Sequence, residues 1–195
     1  MPVRRLFAAV LFAASTSSTA VSAQDASRAA QAGRDPRMAM RAVSQEAMKP
    51  LAWLVGEWEG PATAEYAPGR NVTLTQRETV VWGAFNTAIL VQGRGRFSVG
   101  DSSRLVYDAA ALIAYDALTK KFVMAASGGS GIAGSFDIKV DGSNITWGFP
   151  LGDNERVRYD ISLTPDGKWK EIGYESKDGG KTWTKNLEML LSRKP

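Results

Sequence analysis

Arg70-Asn71-Val72-Thr73-Leu74-Thr75-Gln76-Arg77-Glu78-Thr79-Val80-Val81-Trp82 reads as two interleaved sets of residues. Val72, Leu74, Gln76, Glu78, Val80 and Trp82 fall on one side; Thr73, Thr75, Arg77 and Thr79 fall on the other. A period of two is the signature of an extended strand with one face against a core. Gln76 and Glu78 then stand on the inner face, where polar groups must find partners or water.

The same pattern recurs outward from this stretch. Segments rich in Val, Ile, Thr and aromatic residues occupy roughly 53–66, 70–82, 86–98, 105–115, 120–127, 132–140, 144–149, 155–164, 168–176 and 181–192. Gly, Pro, Asp and Asn separate them, as in Ala67-Pro68-Gly69, Asp141-Gly142, Pro165-Asp166-Gly167 and Asp178-Gly179-Gly180. About ten short-linked strands with no helical crossover must be antiparallel, and closing the sheet removes its exposed edges. Alternation turns Ile89, Val91 and Phe97 inward, then Phe136, Ile138 and Val140, then Val157, Tyr159, Ile161 and Leu163. In the last strand it puts Trp183, Lys185, Leu187, Met189 and Leu191 on one face. Residues 105–115 are too uniformly apolar, and 168–176 too mixed, to assign faces.

Ahead of the strands, Arg4-Arg5 precede an apolar run, Leu6 to Ala14, and small residues end at Ala23. Residues 1–23 read as a secretory signal cleaved near Ala23, which predicts a periplasmic or secreted protein; the twin arginines leave the export route open. Residues 24–50 read as a polar leader followed by a short amphipathic helix from Pro36 to Met48, ended by Pro50. Residues 51–195 form the barrel domain. No segment has the length of a membrane-spanning helix.

The chain has no cysteine and no histidine. That removes the Ser-His-Asp triad, the thiolate nucleophile and the imidazole-held metal; carboxylate, lysine, tyrosine and hydroxyl groups remain for chemistry, plus hard metals held by oxygen, and no residue is assigned to a metal site. Of 24 basic residues, 22 remain when Arg4 and Arg5 leave with the signal, against 20 acidic ones. A balance so near zero gives no reason to expect nucleic acid as a partner.

Leu51-Ala52-Trp53-Leu54-Val55-Gly56-Glu57-Trp58 resembles the opening of lipocalins and related calycins, where a short helix leads into Gly-x-Trp on the first strand. The likeness continues through Ile113-Ala114-Tyr115-Asp116, Lys121-Phe122 and Ser127-Gly128-Gly129, and is closer to bacterial lipocalin-like proteins of unknown function. It implies a closed up-and-down calycin barrel with Gly56 and Trp58 in structural roles, Trp58 plugging the closed end beneath a basic side chain such as Arg193. The related nitrobindins also begin with Gly-x-Trp and bind haem through a histidine. This chain lacks that ligand, so histidine-ligated haem is excluded and only ligation by Tyr159, Met124 or Met189 would be left. No cofactor is expected.

Ser176-Lys177-Asp178-Gly179-Gly180-Lys181-Thr182-Trp183 matches the Asp-box pattern of sialidase propellers. One box does not make a propeller; Asp178, Gly180 and Trp183 read as the parts of a tight hairpin. Gly93-Arg94-Gly95-Arg96 lacks the strand-to-helix setting of a phosphate cradle and reads as relief of barrel curvature. The expectation for function is a non-enzymatic binding protein holding a small hydrophobic or amphipathic molecule in the lumen. Its ligand-binding residues are Gln76, Glu78, Phe97, Met124, Trp147, Phe149, Tyr159, Lys185 and Met189. Two alternatives remain: an enzyme using Glu78 for proton transfer with Tyr159 or Lys185, and a filled barrel acting through its outer surface.

Overall fold

The structure, a computed structural model, describes residues 35–195. The expected signal and the leader up to residue 34 lie outside the described residues. Residues 40–195 form one compact unit, which contains the barrel. Helix α1 (Pro36–Met48) runs into a 3-10 turn, Lys49–Leu54. Pro50 lacks the N–H that would continue α1, which is why the helix stops there. The first strand begins at Gly56 rather than near Trp53 because this turn occupies the intervening residues.

Among the described residues the strands are β1 (Gly56–Ala67), β2 (Arg70–Gly83), β3 (Ala88–Val99), β4 (Ser102–Asp116), β5 (Lys121–Gly128), β6 (Ala133–Phe136), β7 (Ile138–Asp141), β8 (Asn144–Pro150), β9 (Arg156–Leu163), β10 (Trp169–Ser176) and β11 (Thr184–Arg193). They form one antiparallel up-and-down sheet in which β1 pairs with β11, bringing the two ends of the meander together. Eleven strands replace the expected ten because the segment over 132–140 changes partner at Asp137: β6 pairs with β5, and β7 with β8. The barrel is therefore nearly closed, and the free edges at that seam are only four residues long, which limits unpaired backbone.

One end is sealed by Met48, Leu51 and Leu54, which pack with Trp58, Ile89 and Leu191 into the core. In the helix, Ser44 faces the barrel and donates a hydrogen bond to the Tyr115 carbonyl at 2.9 Å, whereas Val43 stands exposed. Further along the rim, Ala84, Phe85 and Asn86 all adopt left-handed backbone angles. Such a run is unfavourable by roughly 1–2 kcal/mol per residue. It is held by the Gln45 side-chain amide, which donates to the Phe85 carbonyl at 2.7 Å, and by the Arg41 guanidinium 4.1 Å from the Phe85 ring.

Two bulges change which side chains face inward. In β4 the extra residue is Val106, so that Tyr107 opposes Gly95 and Leu105 opposes Arg96. In β11 it is Asn186, so that Leu187 opposes Gly173 and Lys185 opposes Tyr174.

Candidate functional site

The sealed end carries a floor of three indoles. Trp53, Trp58 and Trp169 meet edge to face with ring centroids 5.8–6.0 Å apart. The Arg193 guanidinium lies 4.2 Å from the Trp58 ring and donates to the carbonyls of Val55 and Trp53. A side chain at Gly56 would collide with Arg193, and its φ of 134° is one that only glycine adopts readily.

Above this floor is a cavity of about 100 Å³. Its room comes from small residues on the inner face: Gly93 on β3, Ala109 and Ala111 on β4, and Ala126 on β5. Ile113, Met124, Ile145, Ile161 and Trp147 complete an apolar wall. The polar side is made by Glu78 on β2, Glu171 on β10 and Tyr107 on β4. The two strands bearing the acids are separated by β1 and β11, and the curvature of the wall turns both acids toward the same space. Gly93 is needed for this arrangement: a Cβ there would stand 2.6 Å from Glu78 Oε1.

Gln76 and Glu78 are 4% and 6% exposed, and the Gln76 amide donates to Glu78 Oε1 at 2.7 Å. Burial pushes the Glu78 pKa up to about 7, and the Gln76 hydrogen bond opposes part of that rise. Glu171 is pushed further, to about 8, by burial and then by the charge of Glu78. The Trp169 indole N–H lies near enough to hold Glu171 down slightly, yet it makes no hydrogen bond and is a buried donor without a partner. Near neutral pH the pair therefore holds about one proton, with Glu78, hydrogen-bonded by Gln76, the favoured anion and Glu171 the more easily protonated acid. Tyr107 is 48% exposed as a residue, but burial around its hydroxyl and the nearby charges of Glu171 and Glu78 raise its pKa. Burial, with the charge of Glu171, also raises that of Tyr159. Among the described residues no lysine or arginine lines the cavity. Among the described residues no three acidic side chains gather as a metal-binding set, and no helix is long and apolar enough to cross a membrane.

This geometry can be set beside known proteins. No protein-family profile and no curated protein matches the chain. The crystal structure of Rv2717c from M. tuberculosis shares its fold, with a TM-score of 0.54 and 14% sequence identity over 78% of this chain and 98% of that one. In outline this is a calycin-like barrel. At that identity the likeness concerns the path of the chain and transfers no residue's role.

Within the calycin-like barrel, Glu78, Met124 and Trp147 line the cavity, and Gln76 reaches it through Glu78. Tyr159 stacks on Trp147 at 4.6 Å, and Phe149 stacks on Trp147 and meets Phe136 at 5.0 Å, so these rings form a ladder along β6 to β9. Met189 is buried opposite Glu171 in the neighbouring strand.

Two of the expected ligand-binding residues lie elsewhere. Lys185 is not luminal: the Asn186 bulge turns it to the outer face, where its ammonium pairs with Glu188 at 2.7 Å. The same bulge puts Trp183 outside with Tyr174, and Arg158 lies 4.7–4.8 Å from both rings. Phe97 sits past the β4 bulge at the far end of β3, 36% exposed and away from the cavity.

Asp178 accepts hydrogen bonds from the backbone N–H groups of Lys181 and Thr182 and from the hydroxyls of Ser176 and Thr182. Those bonds hold its pKa down to about 2, and Trp183 closes the turn by donating to the Gly180 carbonyl.

Glu171, Tyr107 and Trp169 were missed by sequence reasoning. A signal for the first existed: the tight Pro165–Gly167 turn places Trp169 opposite Leu163 and Glu171 opposite Ile161, and facing partners in an antiparallel pair share a face.

Proposed function

We propose that the mature chain is an exported binding protein whose barrel holds one small amphipathic molecule, apolar part inward among the alanines, Ile113 and Trp147, polar end against Glu78 and Glu171. The observation that carries this reading is a cavity whose wall is apolar except for one side bearing two buried carboxyl groups. A few placed polar groups in an apolar hollow are what orient a ligand. Size narrows the class. Pockets for drug-sized ligands begin near 300 Å³, and an apolar cavity of roughly 150 Å³ accommodates benzene. At about 100 Å³ the site suits a molecule of only several heavy atoms. Long-chain fatty acids, quinones and haem exceed it.

Trp147 and Trp169 border the cavity, so their fluorescence reports occupancy. Titration with small amphipathic molecules should change it saturably, and Ala111→Leu, which fills the cavity, should abolish the response. If no compound of this size produces a saturable change, or Ala111→Leu leaves it intact, the reading fails.

A second reading rests on the asymmetry of the acid pair. Glu78, hydrogen-bonded by Gln76, is a base, and Glu171, held near pKa 8, is an acid on the same side of one cavity, which together suit proton transfer. Glu78→Gln and Glu171→Gln should then each remove turnover, and full turnover by either variant excludes it. A barrel acting only through its outer surface draws no support from an interior that is hollow.

A further inference from the structure

We infer that the ligand class selected by this cavity is a small organic monocation, an ammonium or amidinium group on a compact apolar body, seated between Glu78 and Glu171. The inference rests on the binding reading above and adds the sign of the charge.

Three features of the site point to it. First, the charges inside are uncompensated. Glu78 and Glu171 face one cavity, while every ion pair among the described residues lies at the surface, as in Arg77 with Glu57, Arg94 with Asp108 and Arg158 with Asp160. Buried carboxylates ordinarily have a cation or several donors as partners. Here Gln76 gives Glu78 a single donor and Glu171 receives no hydrogen bond of good geometry.

Second, the Trp169 indole N–H stands beside Glu171 without a partner, although Trp169 is 3% exposed. Glu171 can accept from that N–H in either protonation state, and accepts more strongly as the anion. A cation between the two acids favours that anionic state by displacing the shared proton. A buried polar group left without a partner at the wall of the cavity is a second mark of a site built to hold a ligand.

Third, the rest of the lining suits the body of such a ligand. The Trp147 ring lines the cavity and offers a face for a cation–π contact. Gly93, Ala109 and Ala111 leave room for a few apolar carbons. The groups facing the acids from the surrounding elements are Trp58 on β1, Gln76 on β2, Tyr107 on β4, Tyr159 on β9 and Trp169 on β10. None is cationic, and the two phenols stay protonated at neutral pH. A carboxylate or phosphate ligand would meet two acids and no positive charge.

The test is isothermal titration of the purified mature protein at pH 7.5 with isopropylamine and isobutylamine. Isopropanol and isobutanol serve as neutral probes of similar shape, and isobutyrate as the anionic one. The amines should bind at least roughly tenfold more tightly than the alcohols, as a charge contact in a low-dielectric site implies, and isobutyrate should not bind. Repeating the titration in buffers of different ionisation enthalpy should show proton release with the amines and none with the alcohols. Amine affinity should fall as the pH is lowered from 8 to 5.5, because protons then compete for both acids. Glu171→Gln should lose most of the amine affinity and keep that for the alcohols. Alcohols binding as well as amines, isobutyrate binding best, or amine binding without proton release would each overturn the cation inference while leaving the binding protein standing. If no probe binds, the binding reading itself falls and takes the inference with it. These outcomes are read on the unaltered protein, so they hold whether or not the variant folds.

Discussion

Glu78 and Glu171 are buried acids that the fold holds more protonated than an unfolded chain would, and this ties stability to pH at the scale of single residues. Between the ordinary carboxyl value of about 4.5 and the folded values of about 7 and about 8, the native state binds more protons than the unfolded one. Stability is therefore fullest below pH 4.5 as far as these two groups are concerned, and it is lost as pH rises through 7 and 8. Asp166 and Asp178 act in the opposite sense. Their pKa values, held near 2 by hydrogen bonds, give stability that is present above the normal carboxyl range and lost only as pH falls toward 2. The melting temperature should accordingly decline from pH 5 to pH 8.5. Glu171→Gln should flatten that decline and be more stable than the parent at pH 8.5 by about 1–3 kcal/mol. An unchanged slope in the variant would show that Glu171 is not the titrating group.

At the scale of the element, the deciding feature is the one extra residue in β11. Asn186 breaks an alternation that otherwise reads without interruption from Trp183 to Leu191, and every side chain before it changes sides. The consequence for Lys185 is measurable. As a surface residue paired with Glu188, it should tolerate Lys185→Ala with a change below about 0.5 kcal/mol in urea denaturation. A buried partner of Glu78 would instead lose roughly 3–5 kcal/mol on truncation, and a loss of that size would place Lys185 back in the lumen. The break at Asp137 works in a similar way. By passing a single extended segment from β5 to β8, it lets the sheet come round with only short stretches unpaired.

For the whole molecule, closure depends on joining the first strand to the last. Arg193, at the end of β11, reaches carbonyls of Trp53 and Val55 in the turn before β1 and covers the Trp58 ring. Arg193→Ala should lower stability by about 2–3 kcal/mol, through charge-assisted hydrogen bonds and the cation–π contact together. Arg193→Lys should recover only part, since an ammonium lacks the planar fork that reaches both carbonyls. Chemical denaturation of the two variants checks this, and an alanine variant within 0.5 kcal/mol of the parent would contradict it.

The sequence by itself determined the strand class, the meander, the curling of the sheet into a barrel and the inward placement of Gln76 and Glu78. All of these follow from a period of two and from turn residues only a few positions away. It also carried the Pro36–Met48 helix, because a proline at each end and helical spacing between them are local signals. The tertiary structure alone decided that Glu171 joins Glu78, that Tyr107 and Trp169 border the same cavity, and that Lys185 and Phe97 stand apart from it. Glu78 and Glu171 lie 93 positions apart in the chain, and what brings them together is the curvature of a wall whose strands pair in a fixed register. Bulges at Val106 and Asn186 reset that register by one residue each. Nothing in the local composition marks them, because a bulge is chosen by the packing of the whole sheet and not by the residue that forms it.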